Sequence, residues 1–438
     1  MRDIAFLAGF LAFLPFLFGR PHIGVLLWCW TAFLVPNAYL YGFASTLPFN
    51  LIAAVLTMLV WFLSKEPVRI PLNRTVVILI LMGLFATLST TFAIGDSQRA
   101  WVEWEKFAKI IIFALVVSGL INSRARIEAL VYAIGLSLGF HGVVEGLKFV
   151  ASAGGHRIIG PGTSIIADNN HFALALLCTL PLLFFLYRQT DHRLVRLGIL
   201  GSIGILFVAV VGTFSRGGLI GLIVMAMWAF FHGARKIRFL ALAIPLAVML
   251  VAFAPASWFE RMDTITVADQ DASFMGRVIA WKQSTLIALD NPVLGGGFHA
   301  VQSFSVWKLY SLTRFRDLDF IPTDEPDLLA ARAAHSIYFQ VLGDLGFVGL
   351  ALFLTLGFVA WKNTVVVIRK TKDRQDLEWA GRLAQYSQYT LLAYFVTGAA
   401  LSMGYFELIY ILFALLAALR QVVERETLGQ ATAREAKR

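Results

Sequence analysis

The sequence predicts an all-α polytopic membrane protein of about twelve transmembrane helices, with one large extracytoplasmic loop that contains short helices. Three observations predict it. Hydrophobic residues make up 58% of the 438 residues and charged residues only 15%, whereas a soluble globular protein carries ~25% charged residues. The mean hydropathy is +0.74. Apolar runs of spanning or near-spanning length recur along the chain. Backbone in hydrocarbon has no water partner, so such runs must be helical.

The runs lie near 4–18, 23–41, 47–63, 75–94, 107–121, 129–150, 171–187, 195–213, 217–232, 238–254, 337–361, 385–401 and 404–420. The shorter ones require a thinned bilayer or shielding by neighbouring protein. The first follows Arg2 and has the outline of a signal peptide, but no small-x-small cleavage site precedes Arg20, and it reads as retained. The first 41 residues either cross twice, with the N-terminus outside, or cross once beside a half-inserted segment. This organisation gives membrane helices over 1–254 (about nine full spans), a loop over 255–336, C-terminal membrane helices over 337–420 and a basic tail over 421–438, with 424–438 expected to be disordered.

Orientation follows from lysine and arginine in the short connections. Alternate connections are rich in them: Lys65, Arg69 and Arg74; Arg124 and Arg126; Arg188, Arg193 and Arg196; Arg235, Lys236 and Arg238; then Lys362, Arg369, Lys370, Lys372, Arg374 and Arg382. The intervening ones hold only Arg99 and Lys106, Arg157, and Arg216. The C-terminus is thereby expected in the cytoplasm and the 255–336 loop on the far side.

The net charge of +10 does not point to nucleic acid, because the basic residues fall in gaps between apolar runs and form no basic face interleaved with aromatics. Cys29 and Cys178 both lie inside apolar runs and read as small hydrophobes. The 255–336 loop is too long to be an idle connection. It holds a helix-like stretch at Gly276–Leu289, a turn at Asn291-Pro292, Gly295-Gly296-Gly297, and the acidic group Asp317, Asp319, Asp324, Glu325 and Asp327.

Four constellations have chemical potential. Phe214-Ser215-Arg216-Gly217-Gly218 opens an apolar helix. Free N–H groups and the dipole at a helix start attract anions, and arginine adds a fork matched to phosphate oxygens. The plainer reading is an arginine snorkelling at the interface. Arg277 sits on the loop helix with Trp281, either as a ligand for the same anion or on a solvated face. His335, in Ala334-His335-Ser336-Ile337-Tyr338, is expected in the first turn of the helix that re-enters the membrane and continues through 361. Near a helix start an imidazole tends to stay neutral and able to accept a proton, unless its role is only to cap. Asp317-Leu318-Asp319 has the spacing of a metal-binding carboxylate pair, though among so many acids a solvated loop is the simpler reading. Asp168-Asn169-Asn170-His171 either lines the same site or caps its helix.

The order of these residues resembles the O-antigen ligase and O-antigen polymerase superfamily. The resemblance is carried by Phe214–Gly218, by Arg277 with Trp281, and by Asn291-Pro292-Val293-Leu294-Gly295-Gly296-Gly297. It continues through His335-Ser336-Ile337-Tyr338-Phe339-Gln340 and Gly343-Asp344-Leu345-Gly346-Phe347-Val348-Gly349. Arg20-Pro21-His22-Ile23-Gly24 and Ser64-Lys65-Glu66-Pro67 look similar to the branch of exosortase-associated O-glycosylation ligases. The resemblance implies a metal-independent, inverting glycosyltransferase of the bacterial inner membrane with no cofactor. Its donor would be a glycan on undecaprenyl diphosphate at the periplasmic leaflet, and its acceptor, for a ligase, a sugar hydroxyl of lipid A–core. His335 would be the catalytic base and Arg216 and Arg277 the diphosphate ligands. Apart from the resemblance, Arg157, Asn169 and Asn170 are candidates to line the site. Ser336 departs from the asparagine common in the family. A polymerase or a protein O-oligosaccharyltransferase shares this chemistry with another acceptor. A transporter would use ionisable residues such as Glu145 and Glu407 within the apolar runs.

Overall fold

A computed structural model describes residues 1–233 and 272–435, with a few positions between them. The expected span at 238–254, Arg235 and Arg238 of the cationic connection before it, the loop residues 255–271 and the last three residues of the tail fall outside the described residues, apart from scattered positions in the span. Among the described residues every regular element is a helix. The described residues are all-helical, with several helices long and apolar enough for a polytopic membrane protein.

Two helices, α1 (Arg2–Leu17) and α2 (Pro21–Leu34), form an N-terminal hairpin. The run expected to continue to residue 41 stops at Leu34, because Val35 turns left-handed (φ 48°) and Pro36 starts a 3-10 turn. The chain then folds back so that Tyr41, Gly42 and Ala44 donate N–H bonds of 2.9–3.3 Å to the Asp3 carboxylate at the start of α1. Next come α3 (Phe49–Leu63), α4 (Arg74–Thr91), α5 (Ser97–Leu120) and α6 (Arg124–Ala151). After a long turn follow α7 (Asn169–Gln189), α8 (Arg193–Gly212) and α9 (Arg216–His232).

Many of these starts are written in the sequence as side-chain caps. Asn73 accepts from Val76 N at 3.1 Å, Asp96 from Arg99 N at 3.0 Å, and Ser215 from Gly218 N at 3.1 Å. The polar first half of α5, which hydropathy alone would leave out, is held helical by pairs one turn apart, Arg99 with Glu103 and Lys109 with Glu105.

The loop after residue 271 is a cap containing α10 (Ala272–Asp290) and α11 (Phe304–Thr313). The helix expected at Gly276–Leu289 is therefore present and slightly longer. The cap has its own small core, in which Ile279, Leu286 and Ile287 of α10 meet Val306, Trp307 and Tyr310 of α11. The membrane body resumes with α12 (Ile337–Thr371), α13 (Glu378–Thr397) and α14 (Glu407–Glu435). The tail over 424–438, expected to be disordered, continues α14 as helix to Glu435. Its first turn is fastened where Arg420 and Lys370 both reach Glu424.

Burial sorts the helices. Nearly every residue of α7 from Phe172 to Leu186 is buried, as are Leu408–Leu419 of α14. The outer helices turn leucine and phenylalanine outward, as at Leu84 and Leu88 of α4, Leu194 and Leu197 of α8, and Phe231 of α9. Outward apolar side chains over this many helices belong to a lipid-facing surface. Among the described residues, five helices are by themselves long and apolar enough to cross: α4, α6, α7, α8 and α12. Apolar α3 and α9 are shorter, at 15 and 17 residues.

One seam joins cap to membrane body. The long helix α12 is broken at Gly346 (φ 65°, ψ −169°). The backbone groups released there pair with the glycine turn that follows α10: Gly296 N donates to Gly343 O at 2.8 Å, Gly297 N to Asp344 O at 2.9 Å, and Phe347 N to Pro292 O at 3.0 Å. Ser89 Oγ of α4 closes the seam onto Leu294 O and Asp344 O at 2.6 and 3.0 Å. Gly296, Gly297, Gly343 and Asp344 are buried, where unpaired backbone would be costly, and the turn satisfies it. A methyl group on Gly295 or Gly346 would strike the opposing backbone.

Candidate active site

The turn between α13 and α14, residues 398–406, lies at the same end as the cap and gathers the sequence-predicted residues around it. His335 N donates to Ser402 Oγ at 2.8 Å. Arg277 Nη1 donates to Ala400 O at 3.5 Å. The first turn of α9 reaches the same place, since a Cβ on Gly217, the residue after Arg216, would lie 3.8–3.9 Å from Thr397 and Ala400. Arg277, His335 and the helix start that carries Arg216 therefore share one end of the bundle and one short segment as a floor.

The His335 backbone is held on both sides. Its φ of 44° is left-handed, which a side chain with a Cβ adopts only when its surroundings impose it. Before it, Trp281 Nε1 donates to Ala334 O at 2.6 Å, and the Trp281 ring stacks on Phe339 with centroids 5.1 Å apart. After it, the Ser336 side chain is buried with no hydrogen-bond partner among the described residues. Further along α12, Tyr338 OH donates to Phe395 O (2.9 Å) and Gly404 N to Gln340 Oε1 (3.0 Å), fixing α12 against α13 and the turn.

Burial, then the Arg277 guanidinium and the His171 ring, hold the His335 imidazole below its usual pKa, with Asp168 pulling the other way. The ring is thus neutral near pH 7 and able to accept a proton. Asp168 accepts from Asn170 N at 2.8 Å and from His171 N at 3.4 Å, capping α7. Burial pushes its carboxyl up, but hydrogen bonds from Asn170 and the charge of His171 outweigh this and hold it below the usual range.

The remaining predicted residues are placed less centrally. Asn169 is buried and its Nδ2 donates to Thr213 O at 2.8 Å, so its amide ties the start of α7 to the end of α8. Asn170 Nδ2 bonds to Asp168 Oδ1 at 3.1 Å. Arg157 is exposed in the turn before α7, and no hydrogen bond or ion pair engages it among the described residues. Asp317 pairs with Arg314 at 2.5 Å and Asp319 faces Lys282 at 4.0 Å, so both carboxylates look onto cations. Glu145 is occupied by Lys148 and His156, each at 2.6 Å. The residues that sequence reasoning missed are Ala400 and Ser402, which sit beside apolar runs and carry no local signal.

The helices α7, α9 and α12 all begin at this end, so their positive dipole ends lie on the same side of the bundle as Arg277. The fold is that of a helical membrane protein, and this end of it brings Arg277 and the start of α9 beside a neutral imidazole. Residues 201–354, which hold Arg216, Arg277 and His335, match the family model described as O-Antigen ligase. Residues 1–191 match a family of unknown function (DUF5935). No curated protein matches the chain. At the level of the superfamily, the match implies a glycosyltransferase-like activity on lipid-linked glycans.

Proposed function

We propose that the protein is an O-antigen ligase, transferring a glycan from undecaprenyl diphosphate to a sugar hydroxyl of lipid A–core with inversion and without a metal. The observation that carries this reading is the meeting of Arg277 and His335 on the 398–406 turn, beside the helix start that holds Arg216. In this reading the body crosses the bacterial inner membrane about twelve times. The cap and site face the periplasm and the C-terminus lies in the cytoplasm, an orientation that the lysine and arginine asymmetry supports.

The chemistry follows from charge. The donor diphosphate already holds the driving force, so the protein has to bind it, neutralise it as it leaves and remove the acceptor proton. Arg216, Arg277 and the helix N-termini attract the diphosphate oxygens, and one well-placed donor of this kind contributes roughly 3 kcal/mol to the transition state. The neutral His335 takes the acceptor hydroxyl proton as that oxygen attacks the anomeric carbon opposite the leaving oxygen. The anomeric C–O bond to phosphate breaks, and its electron pair leaves with the diphosphate.

The test is transfer in membranes containing the full chain, supplied with a defined undecaprenyl-diphosphate glycan and one acceptor at a time. Product on lipid A–core supports the ligase. Product only on a second lipid-linked glycan identifies a polymerase, and product only on serine or threonine of a protein identifies a protein O-oligosaccharyltransferase. Movement of an unaltered donor across the membrane, with no transfer to any acceptor, identifies a transporter.

A further inference from the structure

The cap helix α11 has two unlike faces. Val306, Trp307, Tyr310 and Ser311 are buried against α10, whereas Phe304, Leu309 and Leu312 are 49%, 56% and 63% exposed. The outward face adds Ser305, Lys308 and Thr313 and no acidic residue. A short helix with bulky apolar side chains and a lysine on its outer face has the make-up of one that lies in a membrane interface.

Its position fits the same partner. At its N-terminal end, a Cβ on Gly95, in the turn between α4 and α5, would meet Ser303 at 2.9–3.0 Å and Val306 at 3.4 Å. The lipid-facing side of α4 runs up to that turn through Leu88 and Phe92, which are 48% and 61% exposed. At its C-terminal end, Arg314 pairs with Asp290 at 2.5 Å, next to the glycine turn that is bonded to the α12 kink. Exposed Val293 of that turn and exposed Phe347 of α12 continue the apolar surface there. Both ends of α11 are thus fastened to places where the membrane-crossing surface emerges.

We infer that α11 lies in the headgroup and upper acyl region of the leaflet on the cap side, with Phe304, Leu309 and Leu312 in lipid. This surface anchors the cap to the bilayer independently of any substrate. Its occupant is the lipid of the leaflet.

The experiment uses the full chain in lipid nanodiscs with a nitroxide label at Leu312→Cys. The native cysteines, Cys29 and Cys178, are buried and leave the label specific. Collision with oxygen, which concentrates in lipid, is compared with collision with a water-soluble nickel complex. Labels at Leu84→Cys on α4 and at exposed Asp324→Cys provide the lipid and water references. The expected oxygen-to-nickel ratio at Leu312 is several-fold above that at Asp324 and close to that at Leu84. A ratio matching Asp324 places α11 in water and overturns the inference. An immobile label shielded from both agents means that protein covers this face and also overturns it. Leu309→Cys gives a second reading of the same surface if the first variant is poorly produced.

Discussion

The main-chain N–H of His335 is bonded to Ser402 Oγ across 2.8 Å, although 66 residues separate the two in the chain. That bond fixes a left-handed residue at the mouth of α12, and with Trp281 on the preceding carbonyl it sets where the imidazole stands. Ser402→Ala removes the acceptor and leaves the partly buried donor unsatisfied. The expected loss is roughly 1 kcal/mol, or about fivefold in turnover, with little change in the donor Michaelis constant. Ser402→Thr keeps a hydroxyl acceptor and should restore most of the rate in the same assay.

His335→Ala should lower transfer by about 10²–10⁴-fold without reducing the amount of protein in the membrane. Wild-type transfer in purified membranes would remove the base assignment.

The pH dependence has a definite sign. A base acts only when neutral, and burial with the Arg277 charge keeps the His335 pKa below its usual value. Activity should therefore persist below the pH at which an ordinary histidine protonates, and fall only on further acidification. Arg277→Gln removes one cause of the depression. Its residual activity should fall at a higher pH than that of the wild type, read from kcat/KM across the acid limb.

Replacing Arg216 or Arg277 by lysine keeps the charge but loses the planar fork. Transfer should drop by about 10–100-fold, consistent with losing part of one transition-state donor, while expression changes little. Equal losses of expression and transfer would assign these residues to folding.

A metal-independent transferase keeps its rate in EDTA. Loss of activity restored by Mg²⁺ or Mn²⁺ would instead move the chemistry toward Asp317 and Asp319.

Gly346→Ala tests the seam between cap and body. At φ 65° and ψ −169° the backbone lies in a region almost confined to glycine, where a residue with a Cβ costs about 1–3 kcal/mol, and here the methyl also meets Gly295 N and Pro292 O at 2.8–2.9 Å. The melting temperature of the protein in detergent should fall by several degrees, with loss of activity following loss of fold.

Much of this fold is legible because hydrocarbon leaves the backbone one solution. Apolar runs became helices, and side chains such as Asn73, Asp96 and Ser215 marked their starts. The break at Val35 was signalled by Pro36, but a continuous apolar run concealed it. Hydropathy also undercounted helices with polar ends: α5 and the last turns of α14 rely on ion pairs and good helix formers instead. At the site, His335, Arg277 and Arg216 could be named from motif order, whereas Ser402 and Ala400 could not. Their part is to accept hydrogen bonds across a long sequence separation, and no local pattern encodes that.

The break in α12 at Gly346 has a consequence for engineering. Because carbonyls of Gly343 and Asp344 and the amide of Phe347 are completed by the Pro292–Gly297 turn, neither partner is self-sufficient. A chimera that imports a foreign cap must bring residues 343–347 with it, or supply a turn that offers hydrogen bonds at the same heights. A graft cut cleanly at the loop boundaries would strand these peptide groups inside the protein with nothing to bond.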